Sequence, residues 1–360
     1  MKEIISDGTV NEISEMTLLL NYKCNFSCAY CYSAKGRSNT TINSDVLHSA
    51  LSFFINRQRV SFSRLRIVFS GGGEPLNSPG LLAEALSFSQ KLANEQHIIL
   101  DYGIVTNGSL ISRDFIELYK QYLPELVVSF DILESVQNRQ RNHYNKVCAG
   151  INLLTDNEIY PGIRCTVTPF NVNRIVESVT ELLSRFPYLG GVAFEPVLNK
   201  SLFPEVDDLK RFYDTFINQY FEAFELGKKS NLYVGSSVVN DAFSSRNRAC
   251  INKFTVTPEG SITACSRISS PDEDFFRQFL YGKIMEDNNV LFDNDKRDEI
   301  IRKNADYYPE CQSCQVKWQC GGGCLLARLS YPSDYFKLHC NFVRTIMALG
   351  KEKCKQYAEI

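Results

Sequence analysis

The chain has no excess of charge of either sign: lysine and arginine number 39 against 41 aspartates and glutamates, a formal net charge of −2. A nucleic acid, whose binding rests on a surplus of basic residues, is therefore not an expected partner. Long apolar runs are missing too, since none approaches the roughly 18 residues of a membrane span. The opening MKEIISDGTVNEISE lacks the basic start and apolar stretch of an export signal. These absences point to a cytoplasmic protein with no membrane anchor. There is no low-complexity tract and no internal repeat beyond the strand–helix units described below.

Cysteine is abundant, at 13 of 360 residues, but unevenly placed. Three fall in residues 24–31, none follows until Cys148, and six lie between 311 and 354. A reducing cytosol and a chain long enough to bury a large core make a disulfide framework unnecessary. Metal or cluster ligation at two separate sites is the better account.

From residue 16 short apolar, β-branched runs alternate with segments of helical periodicity, the pattern of repeated βα units around a parallel sheet. Six strands are predicted, at Met16–Leu20, Leu65–Ser70, Leu100–Val105, Leu126–Phe130, Ile163–Thr168 and Val192–Val197. Segments such as Asp45–Asn56 supply the helices. The fold class expected is α/β, a partial (β/α)6 TIM-like barrel over residues 1–200 with a small C-terminal domain. Leu209, Phe212, Phe216, Tyr220 and Phe224 at helical spacing predict a linking helix within 201–229. Residues 230–345 are short, turn-rich and cysteine-bearing, so this second domain is expected to be held by metal more than by a core. A final helix is expected over 346–360.

Cys24, Cys28 and Cys31 lie in NYKCNFSCAYCY directly after the first strand, where parallel barrels place reacting residues. Three thiolates leave the fourth iron of a 4Fe-4S cube open to a chelating substrate. A zinc site short of one ligand, or three thiols together by chance, is the alternative on spacing alone. After the second strand comes SGGGEPL, which in isolation is also a turn. The two together resemble the radical S-adenosylmethionine (SAM) superfamily: Cys24, Cys28 and Cys31 meet its Cx3Cx2C signature, with the aromatic Tyr30, and Gly72, Gly73, Glu74 and Pro75 meet its GGEP element. The resemblance implies that Gly72, Gly73 and Glu74 hold the methionine amino group. It also implies that Ser129 and Asp131 approach the ribose or methionine portion and that Arg139 or Arg141 pairs with the carboxylate. Thr106, Asn107, Thr168 and Asn171 are further polar groups at strand ends, where turn formers and helix caps are also common.

Cys250, Gly260 and Cys265 read as Cx9Gx4C, and Cys311, Cys314, Cys320 and Cys324 as Cx2Cx5Cx3C, followed by Cys340. Alone, the second run is also compatible with a four-thiolate zinc knot. The whole pattern is similar to the SPASM extension of radical SAM enzymes, which implies two auxiliary 4Fe-4S clusters, three clusters in all. By that resemblance Cys250, Cys265 and Cys324 hold the first, and Cys311, Cys314, Cys320 and Cys340 the second. The first is one ligand short, and Asp241 or an exogenous group is the expected replacement. Cys148, Cys165 and Cys354 fit no part of the pattern and are expected to be ordinary thiols.

Thiolate-bound cubes reach about −700 mV, low enough to cleave a sulfonium reductively, and auxiliary clusters give a second electron a path away from the substrate. The function implied is a maturase that oxidatively modifies a ribosomally made precursor peptide, installing a carbon–carbon or thioether cross-link. Formylglycine formation of the anaerobic sulfatase-maturase type is the alternative; relatives of that type tend to carry aspartate after the second SPASM cysteine, where Ser266 stands here. A non-catalytic zinc-binding interaction module is the third reading. Glu195, Asp131 and Tyr308 are the candidate general bases, although Glu195 is also readable as a structural ion-pair partner. The first strand starts too early for a leader-recognition domain, so a separate leader-binding protein is an expected partner, as is a flavodoxin or ferredoxin electron donor.

Overall fold

The computed structural model describes residues 13–250, 254–285 and 289–354, so the ends of the outermost predicted segments, 1–12 and 355–360, lie outside the described residues. Six parallel strands follow one another in sequence order: β1 (Glu15–Leu18), β2 (Arg64–Phe69), β3 (Ile99–Thr106), β4 (Glu125–Ser129), β5 (Gly162–Val167) and β6 (Gly191–Pro196). Each lies within two residues of its predicted bounds. Every one begins one residue early, because ladder pairing starts at Glu15, Arg64, Ile99, Glu125, Gly162 and Gly191, none of which is buried apart from Gly191.

Local chemistry explains the helices between them. Ser44–Phe54 starts at Asn43, whose side chain accepts from the Asp45 and Val46 amides at 2.7 and 3.1 Å. It buries Val46, Leu47, Ala50, Leu51 and Phe54 on one face. The linking helix runs Val206–Lys229 behind a reciprocal cap between Glu205 and Asp208, and all five of its predicted apolar positions are buried.

Beyond residue 229 the structure departs from the sequence reading. β7 (Val234–Gly235) adds a further parallel strand beside β6. β8 (Phe254–Val256) pairs in parallel with the free edge of β1, and β9 (Ser261–Thr263), β10 (Leu280–Ile284) and β11 (Val290–Phe292) continue from it antiparallel. The result is one 11-stranded mixed sheet in the order β11-β10-β9-β8-β1-β2-β3-β4-β5-β6-β7. Phe254, Val256, Ile262, Tyr281 and Phe292 join the same apolar core as β1 to β6, so this half owes more to hydrophobic packing than its sequence suggests. Two- and three-residue strands carry too little periodicity to be seen in advance. The final helix is Ser333–Lys353, beginning well before the expected residue 346 and carrying Cys340. It packs on the linking helix through Tyr213, whose ring stacks on Phe342 at 4.1 Å and whose hydroxyl lies 2.9 Å from His339 Nδ1.

Candidate active site

Parallel strands in sequence order put all their C-terminal ends along one edge, and loops there converge. The Cys24–Cys31 loop leaves β1 on this edge and is pinned at both ends. Ala29 N donates to the Gln140 carbonyl at 2.8 Å, and Tyr22 OH lies 2.6 Å from both Glu259 Oε2 and the Ser269 carbonyl. The three thiols share one neighbourhood: burial pushes Cys28 up to about 11, helped by the charges of Cys31 and Cys24, and burial likewise raises Cys24. Arg37, which the sequence reading missed, is drawn to all three. Its Nη1 donates to the Phe26 carbonyl, while Nε and Nη2 are buried with no protein partner. Buried, orphaned guanidinium N–H groups beside three thiolates are what an anionic iron-sulfur group would satisfy, so these residues fit one.

The glycine turn after β2 wraps this loop. Gly71 and Gly72 have φ of +94° and +64°, and a Cβ on Gly73 would lie 2.2 Å from the Lys23 carbonyl. Glu74 is buried and accepts from Thr106 Oγ1 and Asn107 N at 2.6 Å and from Leu76 N at 3.2 Å. Burial raises its pKa and these three hydrogen bonds oppose the rise. Asn107 in turn donates from Nδ2 to Asn25 Oδ1 at 2.8 Å. Glu74 and Asn107 thus tie the β2 and β3 ends to the cysteine loop.

Tyr30, Asp131 and Arg141 form a buried triad beside Cys28. Tyr30 OH meets both Asp131 oxygens at 2.9 and 3.0 Å and accepts from Arg141 Nη1 at 2.9 Å. Gln140 Nε2 and Thr166 N also donate to Asp131, at 3.1 and 3.3 Å. Asp131 is thus fully buried and surrounded by donors. Arg141 keeps Nε buried and unpartnered, whereas the exposed Arg139 lies over the Phe170 ring at 3.9 Å. Of the two, Arg141 is the one with an unpartnered N–H buried beside the cysteine loop. The register sets Ser129 beside Arg164, a second residue that went unnoticed in the sequence. Thr168 Oγ1 donates to Gln140 Oε1 at 2.5 Å, and Asn171 Oδ1 accepts from Thr168 N at 2.7 Å, so both are turn-forming residues.

A cavity of about 1220 Å³ opens between the β5 and β6 ends and the cysteine-rich half. It is lined by Arg164 and Glu195 on one side and by Cys250, Cys265, Cys311, Cys314, Cys320, Cys324 and Cys340 on the other. The thiols fall into two groups. Cys265, pushed up to about 12 mainly by burial, feels Cys250 and Cys324. Cys320, pushed to about 12 for the same reason, feels Cys340, Cys311 and Cys314. Among the described residues no three His, Cys, Asp or Glu side chains meet where a single ion would bridge them. A cube spreads its thiolates over several irons, and the cavity has the room. Asp241 lines the same cavity but is ion-paired with Arg246, whose Nε donates to the Gln319 carbonyl at 2.8 Å. Its carboxylate is thus engaged by a cation within the cavity wall.

Of the candidate bases only Glu195 lines the cavity, its oxygens accepting from Ser237 N at 2.9 Å and Ser237 Oγ at 2.5 Å. Its hydrogen-bond partners are thus a hydroxyl and an amide. Tyr308 stacks under Arg328 at 3.4 Å near Cys311, with a pKa raised by burial, which makes it a poor proton acceptor. Cys148, Cys165 and Cys354 are buried singly, away from both thiol groups.

Residues 18–182, which carry the first cysteine loop, the glycine turn and the buried triad, match the family model described as the radical SAM superfamily. This segment of the chain is a radical SAM superfamily segment. The chain is accordingly an enzyme of the radical SAM class, using S-adenosylmethionine and iron-sulfur chemistry. Among curated relatives it is similar to the cysteine-type anaerobic sulfatase-maturating enzyme of Clostridium novyi, 21% identical over 81% of this chain and 84% of the relative. It is also similar to the radical SAM cyclopropyl synthase TigE of Paramaledivibacter caminithermalis, 21% identical over 88% of this chain and 69% of that one. Among solved structures, anSMEcpe with bound AdoMet and Kp18Cys peptide superposes with a TM-score of 0.72 at 19% identity, over 94% of this chain and 99% of that one. Streptococcus suis SuiB bound to precursor peptide SuiA superposes at 0.62 and 15% identity, over 90% and 74%. At these identities the structures speak to the fold, and both extend through the cysteine-rich half. The radical SAM fold here therefore has a C-terminal region like that of SPASM maturases.

Proposed function

We propose that this radical SAM enzyme oxidatively modifies a side chain of a peptide or protein. The observation that carries the reading is the single cavity shared by strand ends of the parallel sheet and all seven C-terminal cysteines. Its size suits a polypeptide segment laid between a radical source and an electron sink. We read the described residues up to 200 as a partial barrel, 201–229 as the link, 230–345 as the SPASM half and 346–353 as the end of the last helix. Cys24, Cys28 and Cys31 would hold the cluster that binds S-adenosylmethionine, Cys250, Cys265 and Cys324 a first auxiliary cluster, and Cys311, Cys314, Cys320 and Cys340 a second.

Bound there, the cluster and S-adenosylmethionine supply a 5'-deoxyadenosyl radical. The residues of this chain do the rest. Arg37 neutralises the thiolates, Arg141 offers an N–H to the methionine carboxylate, and the walls of the sheet keep water from the substrate radical. Glu195 would receive the proton released on oxidation.

The relatives favour single-residue oxidation of the sulfatase-maturase kind over a cross-link, since maturases of that kind recur among both the curated relatives and the solved structures. Ser266 in place of the expected aspartate is the difference such an activity must accommodate, and Glu195 is the available substitute. Cross-linking of a ribosomal peptide, with a separate leader-binding protein and a flavodoxin or ferredoxin as donor, is the second reading.

The test is anaerobic iron and sulfide analysis with 5'-deoxyadenosine production in dithionite, on the parent and a Cys24, Cys28 and Cys31 to alanine variant. About twelve irons falling to about eight, with nucleoside from the parent alone, is the expected result. Zinc in place of iron would move the non-catalytic module to first place.

A further inference from the structure

Arg267 stands two residues beyond Cys265 and shares the cavity wall with Cys250, Cys265 and Cys324. Its backbone N–H and its guanidinium both favour the Cys265 thiolate, and the side chain also feels Cys324. On its other side lies Tyr32, the residue after Cys31, with the guanidinium 5.9 Å from the ring centroid. Arg267 therefore sits between the first cysteine loop and the Cys250–Cys265–Cys324 group. Among the described residues it makes no ion pair or side-chain hydrogen bond. Glu195, a carboxylate it feels, is not at ion-pair distance and has both oxygens on Ser237.

The other thiol group is furnished differently. Arg328 lies 3.5 Å from Cys311 Sγ, but its charge is answered by Glu310 at 2.6 Å and its Nε by the Gly322 carbonyl at 2.7 Å. Arg246, which Cys320 feels, is answered by Asp241. Cations near Cys311 and Cys320 thus each have an acid at ion-pair distance, and among the described residues the cation near Cys265 has none that close.

We propose that Arg267 is a positioning residue for electron transfer: its charge, free of a contact ion pair, raises the reduction potential of the first auxiliary cluster, making that cluster the primary acceptor from the substrate. Cluster potentials follow net charge and hydrogen bonds to the sulfurs, and a cation stabilises the form with the extra electron. In the step it serves, a substrate carbon gives a hydrogen atom to the 5'-deoxyadenosyl radical, leaving 5'-deoxyadenosine. The carbon radical then loses one electron, accepted at the first auxiliary cluster, and one proton, taken by a base. The substrate is oxidised by two electrons in all. The proposal rests on the reading of these cysteines as cluster ligands.

The test is an EPR-monitored redox titration of the full-length Cys24, Cys28 and Cys31 to alanine protein, which isolates the auxiliary centres. Arg267→Gln should lower the midpoint potential of one centre, the one lost in Cys265→Ser, and leave the other unmoved. Arg267→Lys should restore most of the parent value. Arg267→Met, which keeps the apolar stem, provides the uncharged comparison if the glutamine variant loads less iron. Unchanged potentials in both uncharged variants, or a lysine variant shifted as far as they are, would overturn the assignment. A parent that binds no iron in this background would instead overturn the auxiliary-cluster reading itself.

Discussion

Asp131 has no exposed surface and accepts from Tyr30, Gln140 and the Thr166 amide, yet burial still pushes its pKa from 3.8 to about 6, against the pull of Arg141. The hydrogen bonds only partly replace lost hydration. The folded pKa is the higher one, so the group's contribution to stability is fully present below pH 3.8 and is lost as pH rises through 6. The loss amounts to roughly 3 kcal/mol. Thermal unfolding of the cluster-free chain should therefore show Asp131→Asn gaining on the parent by about that much between pH 4 and 7; a constant difference would contradict the assignment. This residue also marks what the sequence could and could not show. The position of Asp131 just past β4 was legible from its motif. That Tyr30, a hundred residues earlier, reaches across to cover it is a tertiary fact with no local signature. The same holds for Glu74, whose neighbours Gly72 and Gly73 announce the turn while its partners Thr106 and Asn107 come from another strand. Arg37 and Arg267 went unread because an arginine's value here depends on which thiols surround it.

The elements that position the site are a strand, a loop and a clasp. The clasp is the segment 269–273, which lies against the back of the first cysteine loop. Gly36 packs so closely on Ser270 that a Cβ would sit 2.4 Å from the Ser270 Cβ and 3.1 Å from Glu273 Oε1. Glu273 in turn caps the Ser269 and Ser270 amides at 2.6 and 3.1 Å. Neither neighbour is free to yield, so Gly36→Ala should push the loop off its seat. The expected outcome is loss of about four irons on reconstitution, with secondary structure by circular dichroism unchanged. Full iron content in the variant would show the contact to be soft. The six long strands were readable because apolar residues alternate or run through them, while β7 to β11 were not. β7, β8, β9 and β11 have only two or three residues of ladder and leave no period to detect, and β8 to β11 take their order from the vacant edge of β1.

At the scale of the whole molecule, the two helices Val206–Lys229 and Ser333–Lys353 close the structure by stacking Tyr213 on Phe342. Cys340 rides on the second of these, two residues from Phe342, so packing and the proposed ligation share one helix. Phe342→Ala should cost about 3–5 kcal/mol in unfolding free energy and lower the iron retained by the second auxiliary site. A drop in melting temperature without iron loss would show the two to be independent. The pairing of β8 with β1 sets a wider condition. A recombination breakpoint near residue 230, where the sequence changes rhythm, would give one parent a β1 with a bare edge and the other a β8 without its mate. Met16, Thr17 and Leu18 must be inherited together with Phe254, Thr255 and Val256, so the unit that can be exchanged between such proteins is not a contiguous stretch of gene.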